Sequence, residues 1–347
     1  MNKIKRWLGN SGIAIVLGTL LVACDDRVSV VPPSQPKPTP LLTQPRPTPP
    51  LTPQHTPTMA ESLNFALMRK DFARVQQLLR SASAQDIDQS EGLLRAVQLN
   101  QPGLMQLMFK QGANPNAEAG LLPLRQAVRN GNSQLVQLLL QHGANPNRQE
   151  HDTTDSILQE ALSANAYGAC LYRDTGIERL PQLNAQRLEA IRLILKAGAN
   201  PNERDRSNGT TVLMVAIAHG NEELVELLLQ RGANPKVISA YGETALHYAA
   251  WRGNTAVVQQ LLAQKVGVNP AHYLGRTPLI FAVRQGSLPI VKLLLAQGAN
   301  VNAASREGFA EPNGTRYGYQ SVLDHAIAAN YPDIVALLKQ RGAKPFQ

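Results

Sequence analysis

The pentapeptide Gly-Ala-Asn-Pro-Asn stands three times in this chain, at Gly112–Asn116, Gly143–Asn147 and Gly198–Asn202. Frayed copies follow at Gly232–Lys236, Gly267–Pro270, Gly298–Asn302 and Gly342–Pro345. Most copies lie 31 to 35 residues apart, a period that marks a stack of repeated supersecondary units. Each follows an apolar run such as Leu135–Leu140 or Ile290–Leu295. Glycine just past a helix takes the left-handed conformation that caps the last carbonyls. A proline soon after cannot continue the helix, and Asn favours the turn that follows. The pentapeptide therefore predicts a helix stop and the start of a connector. A chain built this way offers a surface rather than a catalytic cleft.

A second element recurs upstream, clearest as Thr244–Ala250 (TALHYAA) and Thr277–Ala282 (TPLIFA). Threonine suits an N-cap and Pro278 the first helical turn. The small Ala249 and Ala282 allow a neighbouring helix to approach closely, and Ala96, Ala127, Ala161, Ala216 and Ala326 occupy equivalent places. From alanine to stop glycine is 16 residues in five of seven units, 18 in the Ala249–Gly267 unit and 37 in the Ala161–Gly198 unit. Each unit reads as helix, short loop, helix, connector.

These helix starts, the LVQLLL-type second helices and the GANPN connectors together resemble the ankyrin-repeat family, over roughly residues 60–347. The resemblance implies an all-α solenoid of about eight helix-turn-helix repeats with short β-hairpin fingers. Its first pair, near Ser62–Arg80, is degenerate. The repeat domain is expected to cover 59–347. With 43% hydrophobic and 5% aromatic residues, the composition suits Leu- and Ala-rich helix pairs.

The N-terminus reads as residues 1–23 of a signal peptide. Lys3, Lys5 and Arg6 form a basic region, and the apolar run Ile13–Val22 is short for a membrane span. Leu21-Val22-Ala23-Cys24 resembles a bacterial lipobox. That resemblance implies cleavage before Cys24, which would carry a diacylglyceryl thioether and an N-acyl chain. Several acyl chains anchor stably where one is marginal. The alternative is an ordinary secretory signal with an incidental cysteine. Asp25 follows Cys24 and, by the enteric rule, favours the inner membrane, with the repeats in the periplasm. Residues 24–58 read as a disordered Pro-rich linker: Val28–Thr58 holds eleven of the 24 prolines. Fully extended, it would reach roughly 95 Å at about 3.1 Å per residue.

With Cys24 lipidated, Cys170 is left alone and no internal disulfide forms. It is a buried bystander, an intermolecular link or a nucleophile. Formal charge is +9, and losing the three basic signal residues leaves +6. No basic reader motif accompanies that excess, so an acidic protein partner fits better than nucleic acid. Of the seven histidines, His247 takes the family's helix-start place, where the ring usually bonds the neighbouring connector. His151, Asp152 and Asp155 form the only local cluster, read as a solvated turn rather than a metal site. Asn208-Gly209-Thr210 and Asn313-Gly314-Thr315 read as turns at finger tips. No catalytic or phosphate-binding motif has supporting context. A non-enzymatic monomer without cofactor or metal is expected.

In ankyrin-like repeats, contacts come from the fingers and from two variable positions ending each first helix. The matching pairs are Arg129-Asn130, Ser163-Ala164, Ala218-His219, Trp251-Arg252, Arg284-Gln285 and Ala328-Ala329. Trp251 and Arg252, with Arg284 one repeat on, make an aromatic and guanidinium patch of the kind that dominates interfaces. The competing reading has Trp251 covering the next repeat. The fingers add Tyr241, Glu243, Tyr273 and Arg276. Two insertions break the period. One, near 166–186, carries Tyr167, Cys170 and Tyr172. The other, near 305–320, lengthens a finger with Phe309, Arg316, Tyr317 and Tyr319. The expected partner-binding set is Trp251, Arg252, Arg284, Gln285, Tyr241, Glu243, Tyr273, Arg276, Tyr317 and Tyr319. The expected function is a membrane-anchored protein that binds a partner in the bacterial envelope. The alternative is an inhibitor or immunity protein that neutralises a toxic envelope effector such as a lipase.

Overall fold

A computed structural model describes residues 56–117, 122–149, 155–163, 183–311 and 314–347, with backbone alone at 163, 309–311 and 314–317. The expected signal peptide, Cys24, Asp25 and nearly all of the expected Pro-rich linker lie outside the described residues. So do His151, Asp152, Ala164, Tyr167, Cys170 and Tyr172. The described residues form one compact unit, Thr56–Gln347.

Eight helix pairs follow one another. They are α1 (Met59–Met68) with α2 (Phe72–Leu79), then, after a short α3 (Ala84–Gln89), α4 (Gly92–Gln98) with α5 (Pro102–Lys110). Next come α6 (Pro123–Arg129) with α7 (Ser133–Gln141), and α8 (Ile157–Ser163) with α9 (Ala185–Lys196). They continue as α10 (Val212–His219) with α11 (Glu222–Gln230), and α12 (Ala245–Arg252) with α13 (Thr255–Ala263). The last two pairs are α14 (Pro278–Arg284) with α15 (Leu288–Ala296), and α16 (Val322–Ala328) with α17 (Pro332–Gln340). Between them stands an antiparallel hairpin, β1 (Ala304–Glu311) and β2 (Gly314–Ser321). The architecture is the expected all-α repeat solenoid.

Local chemistry explains the helices. Thr211 and Thr277 accept from Met214 N and Ile280 N, which caps α10 and α14. The second helices α7, α11 and α13 start on asparagine: Asn132, Asn221 and Asn254 accept from Leu135 N, Leu224 N and Val257 N. At the other end Gly143 has φ +84°, and Ala144 N returns to Leu139 O at 3.0 Å, closing the C-cap. First helices pack on first helices, α10 on α12, α12 on α14 and α14 on α16. The seven small alanines stand where these rows meet, and all seven are fully buried.

The pentapeptide does more than end helices. Asn116 donates Nδ2–H to Gly143 O at 2.8 Å and accepts from Asn145 N at 2.8 Å on Oδ1. Asn147 bridges likewise to Gly198 and Asn200, at 2.8 Å each. Asn202 reaches Gly232 and Asn234, at 3.0 and 2.7 Å, and Asn269 reaches Gly298 and Asn300, at 3.1 and 2.7 Å. In five connectors the third residue holds the fifth in place, as where Asn145 Oδ1 accepts from Asn147 N at 2.9 Å. At the ends, Asp88 accepts from Asn114 N and Asn302 from Lys344 N. Each of the four inner rungs is one carboxamide used twice, as donor and as acceptor, across a repeat boundary.

Three sequence readings are corrected. The stop after α13 is Lys265, in the left-handed region at φ +54°, and not Gly267. Val266 is buried as Ala144 is, so the interval from Ala249 is 16 residues like the others. Gly267 therefore stands where other connectors have their first asparagine. Second, the insertion ends sooner than expected, because Asn184 accepts from Arg187 N and caps α9, which begins at Ala185. Third, among the described residues only β1 and β2 pair as a ladder. The finger at Asn208 is a turn closed by a single bridge, Arg204 to Thr211.

Candidate recognition face

The fingers are joined edge to edge. Ala240 N donates to Asn208 O at 2.8 Å, Tyr273 N to Tyr241 O at 2.9 Å, and Arg306 N to Leu274 O at 2.8 Å. Such close approach needs glycine at the bends. Gly242 and Gly275 both have φ +81°, and a Cβ there would lie 2.6 Å from Ala271 O and 2.7 Å from Ala304 O. The result is a row of aromatic side chains carried on rigidly spaced backbone. The Tyr241 and Tyr273 rings are 6.0 Å apart. Arg306 pairs across the hairpin with Tyr319, whose ring stacks on Phe346 at 5.3 Å. Tyr273, Tyr319 and Phe346 are 49%, 57% and 49% exposed, and Tyr241 is half-buried.

A buried charge network fixes the hairpin. Arg276 grips Glu307 with two hydrogen bonds, Nε to Oε1 at 2.9 Å and a terminal nitrogen to Oε2 at 2.7 Å. Arg284 adds a third at 3.0 Å. Ser305 Oγ donates to Glu307 Oε1 at 2.7 Å and lies 2.9 Å from His325 Nε2. Burial pushes the Glu307 pKa up, but the Arg276 and Ser305 hydrogen bonds and the two arginine charges overcome it and hold it at about 2. Burial drives His325 down to about 4 against the pull of Glu307. With the serine proton directed at the carboxylate, the neutral imidazole faces Ser305 as a donor. The base that faces that hydroxyl is Glu307, which is held at about 2 and too weak to take its proton, and Ser305 is fully buried, so the trio acts as a lock.

His247 behaves as expected for a helix-start histidine. Its Nδ1 accepts from Thr244 N at 3.1 Å and its Nε2 meets Arg276 O at 3.2 Å, in the next finger. Burial brings its pKa down to about 3, which keeps the ring neutral.

The sequence-predicted contact residues divide. Trp251 is 5% exposed and belongs to the continuous core. Helix α12 is buried along Ala245–Trp251 because α10 and α14 flank it and α13 backs it, so the ring covers its neighbours and presents no contact surface. Glu243 is fully buried and accepts from Tyr248 Oη at 2.7 Å, and Arg276 is 4% exposed. Arg252 is half-buried, lies across Gly220, and donates to His219 O at 3.1 Å. Arg284 is partly exposed but engaged with Glu307. Gln285, Tyr273 and Tyr319 are exposed, while the Phe309, Arg316 and Tyr317 side chains lie outside the described residues. Of the other first-helix ends, Arg129 is exposed and pairs with Glu160 at 2.6 Å, and His219 is buried against Leu162 O at 3.0 Å. Phe346 escaped sequence reasoning, because only the folded C-terminus sets it against Tyr319.

A family model described as Ankyrin repeats (3 copies) matches residues 63–171, 183–273, 241–305 and 266–347. The chain is 41% identical over 56 residues to glycerophosphocholine phosphodiesterase gde1 of Schizosaccharomyces pombe. That stretch covers 16% of this chain and 5% of the relative. It is 40% identical over 55 residues to ankyrin repeat protein L92 of Acanthamoeba polyphaga mimivirus, covering 16% of this chain and 13% of that one. The chain thus spans a small fraction of the relatives it matches, and each likeness is shorter than two repeat periods.

Proposed function

The chain belongs to the ankyrin-repeat family, and from that premise we propose a non-catalytic protein of the bacterial envelope that captures a partner protein on its finger side. Lipid at Cys24 would tether it, with Asp25 favouring the inner membrane and the Pro-rich linker carrying the repeats into the periplasm. The observation that carries this reading is the exposed aromatic set of Tyr273 and Tyr319 on laterally joined fingers, with Phe346 of the C-terminus stacked on Tyr319. Tyrosine presents large contact area at low entropic cost, and rigid backbone lowers the ordering cost of binding. The phosphodiesterase activity named for the fission-yeast protein stays with that protein, since the shared 56 residues are 5% of its length.

Affinity capture after crosslinking in cells tests the face. Tyr273→Ala/Tyr319→Ala is expected to lose the partner retained by the native chain, and equal recovery would show the face to be wrong. Should the captured partner be a secreted lipase or another envelope hydrolase, the same face serves inhibition. For the anchor, Cys24→Ser is expected to move the protein from the membrane to the soluble fraction. An unchanged distribution overturns the tether.

A further inference from the structure

The asparagine ladder has one missing rung. The connector after α11 ends in Lys236, where the other connectors of the ladder have the bridging asparagine, and the connector after α13 has Gly267 in the receiving place. Lysine offers donors and no acceptor, so it cannot reproduce the two-way bridge. Among the described residues, Lys265 C=O, Gly267 N–H and Asn269 N–H find no partner within the protein and stand at its exposed surface. A cleft of about 370 Å³ opens at this step, lined by Lys236, Ile238, Val266, Gly267, Val268 and Asn269 among others. Ile238 is 57% exposed at its side.

We propose that this cleft takes a side-chain carboxamide, from an Asn or Gln on an extended segment of a partner protein, which supplies the absent rung from outside. The other rungs define the chemistry. One group must accept from Gly267 N–H and donate to Lys265 C=O, as Asn147 does for Asn200 N–H and Gly198 C=O. A carboxamide does both, whereas a carboxylate only accepts and an ammonium only donates. Ile238 and Val268 give apolar footing to the residues beside the carboxamide, and Lys236 favours an acidic neighbour. The site rests on the protein-binding reading and names part of what the partner must carry.

The test uses the ¹⁵N-labelled full chain and the capped amino acid N-acetyl-asparagine methylamide, followed at the Gly267 and Asn269 amide resonances. Saturable shifts at millimolar probe are expected, with N-acetyl-leucine methylamide binding roughly tenfold or more weakly. Lys236→Asn/Gly267→Asn rebuilds the rung from within, and is expected to abolish the response and raise the urea midpoint. Lys236→Asn alone should weaken the response. No response in the native chain, an equal response to the leucine probe, or an undiminished response in the double variant overturns the proposal. Partner capture through Tyr273 and Tyr319 alongside a silent cleft would overturn this site and leave the protein-binding reading standing.

Discussion

At the scale of single residues, this protein places ionisable groups where water cannot serve them and then fixes their charge state. His247 and His325 fall from the ordinary 6.5 to about 3 and about 4. Between pH of about 6.5 and the folded values, the unfolded chain therefore binds more protons than the native one. Stability falls as the solution is acidified through that window, by up to about 1.4 kcal/mol per pH unit for each histidine. Glu307 acts lower: its stabilisation is present above 4.5 and is lost as pH falls toward about 2. Urea midpoints at pH 7, 5.5 and 4.5 check the first window, and His325→Gln is expected to flatten it. Removing one partner of a buried ion pair leaves a charge stranded. Arg276→Met is accordingly expected to cost about 3 kcal/mol or more. Arg284→Ala should cost less, because Arg284 is partly exposed and solvent screens its contribution. Urea denaturation of the two variants side by side checks the order.

At the scale of elements, the pairing of helices was legible because its signals are local. A threonine or asparagine cap, an apolar period and a stop residue all lie within about a dozen positions of one another. The rungs were not legible, because Asn147 finds its partners at Gly198 and Asn200, across an insertion. Lys265 was missed because Gly267 imitates a stop two residues late, whereas the turn accepts lysine at φ +54°. Trp251 was misplaced for a different reason. A first helix flanked on both sides buries most of its length, so an end position such as Trp251 does not guarantee exposure. Two substitutions weigh the element-level forces in thermal melts. Asn147→Ala loses both bridging bonds and is expected to cost about 1–3 kcal/mol. Ala249→Leu forces volume between α10, α12 and α14 and is expected to cost about 1–3 kcal/mol by overpacking.

At the scale of the whole molecule, stability in a stack is a sum of repeat and nearest-neighbour terms, so an absent rung matters more than its few bonds suggest. The step between Lys236 and Gly267 lacks the asparagine bridge and is held by helix packing, the Tyr273–Tyr241 backbone bond and the His247–Arg276 contact, and the rungs at Asn202 and Asn269 bracket it. Native-state hydrogen exchange is expected to show the amides of Val266–Asn269 opening before those of Ala199–Asn202. The double variant Lys236→Asn/Gly267→Asn should bring the two groups together, and identical exchange in the native chain would count against a weak step. The ladder also sets a chemical lifetime. Asparagine is among the thermolabile residues, and loss of ammonia from a rung turns its donor into a carboxylate oxygen facing a glycine carbonyl. Each such event would unpin one boundary and spare the rest. The protein would then age by discrete steps, one repeat junction at a time, each a gain of about one mass unit readable by peptide mapping.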